Sequence, residues 1–192
     1  MKIIKESVNL LYLADTETCM NLIEYAARTC YQSHDKKTEG SADRLIRSCI
    51  KRGHESVLEH MSAMFEFVTD RQIANEIVRH RHTHFSQEST RFINYDELEI
   101  IVPPDITGEE LRIILAHCQV AEDAYKAILD IRGQKRIARK VLPHNLATHL
   151  IMTADLREWR AFIKIRSDKA ADPQVRKVAQ EVHDILVARL PA

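Results

Sequence analysis

The feature that most limits how this chain can fold is its shortage of glycine. Only Gly40, Gly53, Gly108 and Gly133 occur in 192 residues, and no two lie within four positions of each other. A GxGxxG dinucleotide turn and a Walker-type phosphate loop both need closely spaced glycines so that backbone can approach phosphate, and both are excluded by counting. Any nucleotide bound here must be met by side chains and helix ends. The length suits one domain with a real core and is too short for two comfortable ones, so a single domain over 1–192 is expected.

Hydrophobic spacing sets the expected elements. Met20, Leu22, Ile23 and Ala26-Ala27 predict a helix over 17–29, and Leu45, Ile46, Cys49 and Ile50 a second over 41–52 that stops at Gly53. A polar loop, 33–41, separates them. Met64, Phe65, Phe67 and Val68 form an alternating aromatic run over 60–69, read as a strand, and Asp70 is placed to cap a helix over 71–79. Residues 85–92 and 98–102 are β-prone and end at Pro103-Pro104, and a long amphipathic helix is predicted over 109–131. The remainder reads as a helix over 135–140 stopped by Pro143, a helix capped near Asp155 and running to Arg166, and a last helix opened by Asp172-Pro173. The expected class is α+β: a small antiparallel sheet with several helices, one of them long and central, in a single domain per chain.

Lys plus Arg and Asp plus Glu balance at 28 each, so no global field favours nucleic acid or an anionic membrane. The first fifteen residues contain no apolar signal region, and no stretch approaches the roughly 18 apolar residues that span a bilayer. A cytoplasmic protein without nucleic-acid or membrane partners is expected. Cys19, Cys30, Cys49 and Cys118 form no CxxC pair, which argues against structural zinc and against a disulfide framework. Cys30 and Cys118 fall in apolar helical patterns that favour a core role.

Chemistry concentrates in Arg79-His80-Arg81-His82-Thr83-His84-Phe85-Ser86-Gln87-Glu88-Ser89-Thr90-Arg91-Phe92. Three guanidinium groups near one point repel, and a fold tolerates this best where an anion is expected, because arginine offers phosphate a planar bidentate fork. His80, His82 and His84 would share one strand face, which raises a metal site as a rival. Arginines beside them oppose a cation, and no metal is expected. His54-Glu55-Ser56-Val57-Leu58-Glu59-His60 is not a zinc helix either: its histidines are six apart, roughly 120° off a common helical face.

Arg79-His80-Arg81, seven residues and Ser89 together reproduce the RHR-x7-S signature of flavin-dependent thymidylate synthases, and the chain resembles that family. Thr90-Arg91-Phe92 stands where the family has S-x-R-Y. Gly53-His54-Glu55-Ser56-Val57-Leu58-Glu59-His60 is similar to its GHES/T-xx-EH segment, Ala138-Arg139-Lys140-Val141-Leu142-Pro143 to its AR-x-x-LP segment, and Thr153-Ala154-Asp155-Leu156-Arg157-Glu158-Trp159 with Ile165-Arg166 to its T-x-N-x-R…L-R segment. The resemblance implies reductive methylation of dUMP to dTMP by a methyltransferase, with FAD reduced by NADPH and methylenetetrahydrofolate as carbon donor. It implies dUMP contacts at Glu76, Arg79, Gln87, Glu88, Ser89, Arg91, Arg139 and Arg166, with Ser89 and Arg166 nearest the chemistry. Cys30, His54, Ser56, Glu59, Arg79, His80, Arg81, Asp155 and Arg157 are the implied FAD contacts. A homotetramer that gathers these segments at subunit interfaces is also implied.

Departures from the family pattern are Gln87 for Glu, Phe92 for Tyr, Asp155 for Asn and Glu76 for Gln. An acidic Asp155 beside a flavin would disfavour an anionic reduced ring. Three alternatives stay open at this point: a related flavoenzyme acting on another pyrimidine nucleotide, a phosphate- or RNA-binding module using the arginine cluster, and a metal-dependent hydrolase using the histidines.

Overall fold

Alternation along residues 62–70 decides the architecture. Ala63, Phe65, Phe67 and Thr69 are buried on one side while Ser62, Met64, Glu66 and Val68 are half-exposed on the other, the period-2 pattern of a strand with one face on a core. A computed structural model describes residues 1–190. In chain order its elements are β1 (Lys2–Ile3), β2 (Ser7–Leu13), α1 (Thr16–Thr29), α2 (Ser41–Lys51), β3 (Ser62–Asp70), α3 (Arg71–Ile77), β4 (His84–Gln87), β5 (Glu99–Ile100), α4 (Gly108–Arg132), α5 (Lys135–Ala138), β6 (Ala147–Asp155), α6 (Leu156–Arg166) and α7 (Pro173–Arg189). Short 3-10 turns at His34–Lys36, Glu55–His60 and Arg139–Val141 link them.

Strands β2, β3, β6 and β4, in that order, form one antiparallel sheet. Phe65 pairs with Met152 and Ser62 with Asp155, so β6 ends level with the start of β3. The main core lies between the buried sheet face and helices α1, α6 and α7. Trp159 is its largest member: fully buried, 4.8 Å from Phe65 ring to ring, with its indole N–H donating to the Ala63 carbonyl at 3.1 Å. Helix ends are capped by side chains, Asp15 on α1, Asp70 on α3, Asp155 on α6 and Asp172 on α7. No helix among the described residues is long and apolar enough to cross a membrane.

The α+β class is as expected, with three differences. Strands β2 and β6 are absent from the periodicity reading. In β6 the neighbours Ala147 and Thr148 are both buried, and Thr148, Leu150, Met152 and Ala154 then alternate with His149, Ile151 and Thr153. Apolar Ile151 on the open side and polar Thr148 on the buried side mask that period. A parallel pair, β1 with β5, joins the antiparallel sheet's neighbourhood through a bridge from Ile100 to Leu146. The long helix α4 packs on a second, smaller cluster of Tyr95, Leu98, Ile100, Cys118, Tyr125, Ala138 and Leu146 rather than on the main sheet. Cys19, Cys49 and Cys118 are buried and unbridged, whereas Cys30 is exposed at the end of α1, which corrects its expected core role: the helix stops there, just past its buried Ala27 and Arg28.

Two buried carboxylates organise the periphery. Glu24 on α1 accepts from Arg28 at 2.7 Å and from Ser41 at 2.5 Å, while Arg28 reaches the Ser33 carbonyl at 3.0 Å, so the polar loop 33–41 is tied to α1. Glu122 on α4 accepts from Lys126 at 2.7 Å and the Leu98 N–H at 2.9 Å and pairs with the N-terminal ammonium at 3.0 Å. Burial opposes its charge, but Lys126, the Leu98 N–H and the terminus outweigh it and hold the carboxyl at about 2. A depressed carboxyl pKa stabilises the fold above the ordinary value and loses that contribution as pH falls toward the folded value. Glu122→Gln should therefore cost about 2 kcal/mol at neutral pH, the scale of a hydrogen bond to a charged group. Urea melts should show its deficit shrinking as pH falls below about 4.5.

Candidate functional site

Helix α3 ends because the chain turns at its C-terminus: the His80 N–H donates to the Ile77 carbonyl at 3.2 Å, and the Thr83 hydroxyl to the His80 carbonyl at 2.5 Å. Residues 80–83 are thus a bend and β4 begins only at His84. His80, His82 and His84 do not share a strand face. His80 points inward at 7% exposure, and His82 and His84 are exposed. Among the described residues no three His, Cys, Asp or Glu side chains converge as a metal cluster would. Arg79 and Arg81, on either side of the buried His80, are exposed and make no ion pair among the described residues.

His80 belongs to a chain of polar contacts across α6. Its Nδ1 lies 3.2 Å from Glu158, and its Nε2 accepts from Arg166 Nε at 3.1 Å. Arg166 also donates to the Glu76 carboxylate at 2.8 Å and to the Glu76 carbonyl at 2.5 Å. Three predicted site residues, Glu76, His80 and Arg166, are therefore one unit.

The second group sits where β4 runs out. The Glu88 N–H donates to the His149 carbonyl at 3.0 Å, the Glu88 carboxylate accepts from the His149 N–H at 3.2 Å, and Gln87 donates to Thr148 at 3.4 Å. Past Ser89 the chain turns: the Ser89 carbonyl accepts from Phe92 at 3.0 Å and Ile93 at 3.1 Å, and its hydroxyl from the Arg91 N–H at 3.4 Å. The β-prone run 85–92 is thus a four-residue strand followed by a tight turn, because local hydrogen bonds to Ser89 replace ladder bonds. Arg91 lies exposed with its guanidinium 5.5 Å from the Phe92 ring centroid. Arg139 approaches from the 3-10 turn after α5, 3.5 Å from Thr90, and Lys135 donates to the Phe92 carbonyl at 2.8 Å.

A third group lines an open cleft of about 890 Å³ where the Glu55–His60 turn meets the start of α6. Glu59, Asp155 and Arg157 of the predicted cofactor set line it, together with His82, Arg160 and Lys164. Glu59 and Arg157 form a short ion pair, and Arg160 reaches Glu55 at 3.3 Å. His54 and Ser56 are exposed on or beside the same turn. One oxygen of Asp155 is committed to the α6 cap, accepting from the Glu158 N–H at 2.8 Å. Asparagine caps equally well, so the cap accommodates either residue and does not account for the Asp-for-Asn departure.

No hydrogen bond among the described residues links Arg166 to Ser89 or Arg139. Cys30, at the end of α1, is exposed and lies in none of the three groups. The sequence reading missed Thr148, His149 and Arg71, which brace the Glu88 segment, Arg71 through Thr148 at 3.4 Å. It missed Glu158 and Arg160 too. All but Arg71 depend on seeing β6 and where it delivers α6; for Arg71 the sequence carries no signal.

The family model described as thymidylate synthase complementing protein matches residues 12–192. A protein of Corynebacterium diphtheriae named flavin-dependent thymidylate synthase is 33% identical, over 88% of this chain and 75% of that protein. One of the same name from Mycobacteroides abscessus is 34% identical, over 82% of this chain and 71% of that one. Among solved structures, a UMP/dUMP methylase from Streptomyces cacaoi bound with 5-Br dUMP superposes with a TM-score of 0.87 over 100% of this chain and 94% of its own, at 23% identity, a likeness of fold. The family match runs through all three groups of side chains, and the chain belongs to the flavin-dependent thymidylate synthase family.

Proposed function

We propose that this enzyme methylates dUMP to dTMP, with methylenetetrahydrofolate as the one-carbon donor and FAD, reduced by NADPH, as the source of the hydride that completes the methyl group. The observation that carries this reading is the pair of exposed guanidinium groups, Arg79 and Arg81, held apart by a buried His80 and lacking a carboxylate partner. Such a pair suits a diphosphate met without a glycine loop. The cleft that holds Glu59, Asp155 and Arg157 fits a flavin in the same sense: it is open, lined by both charges and flanked by His54 and Ser56. Cys30 lies outside this cleft.

Gln87, Glu88, Ser89, Arg91 and Arg139 would hold dUMP, with Arg91 and Arg139 on phosphate and Ser89 as a ligand of the ring or sugar. Arg79 and the Glu76–Arg166 pair would complete the site. Ser89 and Arg166 would stand nearest the reacting carbon, Arg166 stabilising charge that develops on the uracil. Attack by Cys19 or Cys118 is disfavoured, since both are buried and burial pushes their thiols up. Because Arg166 is held by His80 and Glu76 and bonds neither Ser89 nor Arg139 within the chain, a homotetramer that brings copies together is the natural way to complete each site.

The test is direct. Purified protein should be yellow, absorbing near about 450 nm as flavins do, and should form dTMP from dUMP only when both methylenetetrahydrofolate and NADPH are present, with UMP run beside dUMP. Colourless protein, or dTMP made without NADPH, would overturn the proposal.

A further inference from the structure

His80 bridges the two ends of α6. Glu158 stands near the start of that helix and Arg166 closes it, and the imidazole touches both, at 3.2 Å through Nδ1 and 3.1 Å through Nε2, with its ring edge-on to Phe162 at 5.0 Å. An arginine Nε–H can only donate, so Nε2 must accept and the ring must be neutral with its proton on Nδ1, aimed at Glu158. Arg166 then has three of its five N–H groups engaged inside the chain, on His80, the Glu76 carboxylate and the Glu76 carbonyl. One N–H on each terminal nitrogen is left.

We propose that His80, the middle residue of the RHR motif, is a positioning residue: as a neutral ring oriented by Glu158 it fixes the Arg166 guanidinium so that its two remaining N–H groups meet the substrate. This rests on the reading above of Arg166 as a nucleotide ligand. The same inward turn of His80 leaves Arg79 and Arg81 outside, which accounts for the alternation of the motif. Charged groups facing the ring are Glu158 and Arg166, both on α6; Glu76 on α3 acts through Arg166. Protonating Nε2 sets donor against donor and cation against cation, and releases Arg166. Burial first, and then Arg166, hold the ring below the ordinary histidine range against the pull of Glu158, so the neutral form persists into mild acid.

The experiment combines ¹⁵N NMR of His80 in the flavin-loaded protein with dUMP titrations, followed by flavin absorbance from about pH 5 to 8, a window spanning the ordinary histidine value. Wild type should show the Nδ1–H neutral tautomer at the upper end, and its dUMP affinity should be level there and fall in acid. His80→Gln keeps an acceptor for Arg166 and cannot be protonated, so at neutral pH its affinity should stay within about three-fold of wild type, and its acid fall should shrink to the part that protonation of the dUMP phosphate, at about pH 6, causes in both proteins. His80→Phe fills the space without an acceptor and should bind dUMP about ten-fold more weakly with flavin content unchanged, the loss of one hydrogen bond to a charged group. An Nε2–H tautomer in wild type, an acid fall as steep in His80→Gln as in wild type, or a His80→Phe protein that keeps wild-type dUMP affinity would each overturn the proposal. The NMR arm needs no nucleotide. Wild type with the Nδ1–H tautomer but no dUMP binding would therefore overturn the nucleotide reading and leave the His80–Arg166 contact standing.

Discussion

Arg166→Lys should weaken dUMP binding about a hundred-fold while the protein stays yellow. The guanidinium reaches His80, the Glu76 carboxylate and the Glu76 carbonyl at once, at 3.1, 2.8 and 2.5 Å. An ammonium is a point charge with three donors and no fixed fork, so it cannot keep those three contacts and also present two parallel bonds to a ligand. Two lost hydrogen bonds to a charged group, at about 1.5 kcal/mol each, give a hundred-fold change. Flavin content should hold, because the residues proposed for FAD lie in the cleft by Glu59 and Arg157 and at Arg79 and Arg81. Titration of dUMP through flavin absorbance measures both quantities together. Equal dissociation constants for wild type and variant would remove Arg166 from the nucleotide site.

Trp159→Ala should have the largest effect on stability, about 3–5 kcal/mol, the range for truncating a buried tryptophan. The ring is fully buried, packs edge-on to Phe65 at 4.8 Å and to Phe162 at 5.7 Å, and donates to the Ala63 carbonyl at 3.1 Å. Removing it opens a cavity between α6 and the sheet and strands a buried acceptor. With roughly 2–4 °C lost per kcal/mol in a chain of this size, calorimetry should show a melting point lower by about 6–20 °C. Trp159→Phe keeps most of the volume and should recover more than half of the loss. The consequence reaches function, because Glu158 and Arg166 ride on the same helix and both hold His80.

The helices were legible because their signals are local: a 3.6-residue apolar period and, in several, a capping side chain, as at Asp70, Asp155 and Asp172. Strand β3 was legible for the same reason, through Phe65 and Phe67. Strand β6 was not, since Leu150, Ile151 and Met152 are apolar on both sides of the strand while Thr148 on the buried side is polar, so the two-residue contrast in hydrophobicity is weak. The turn after Ser89 escaped notice because no glycine or proline marks it; its hydrogen bonds come from Ser89 itself.

By itself the sequence determined what could be counted or matched. Four scattered glycines exclude a backbone phosphate loop, and the order of RHR-x7-S and its flanking segments carries the family, because both depend only on spacing along the chain. Tertiary structure alone decided which of those residues face one another. Whether a histidine between two arginines points to solvent or to the core depends on Glu158, Phe162 and Arg166, which stand 78, 82 and 86 positions away and reach it only when β6 delivers α6 to the end of α3.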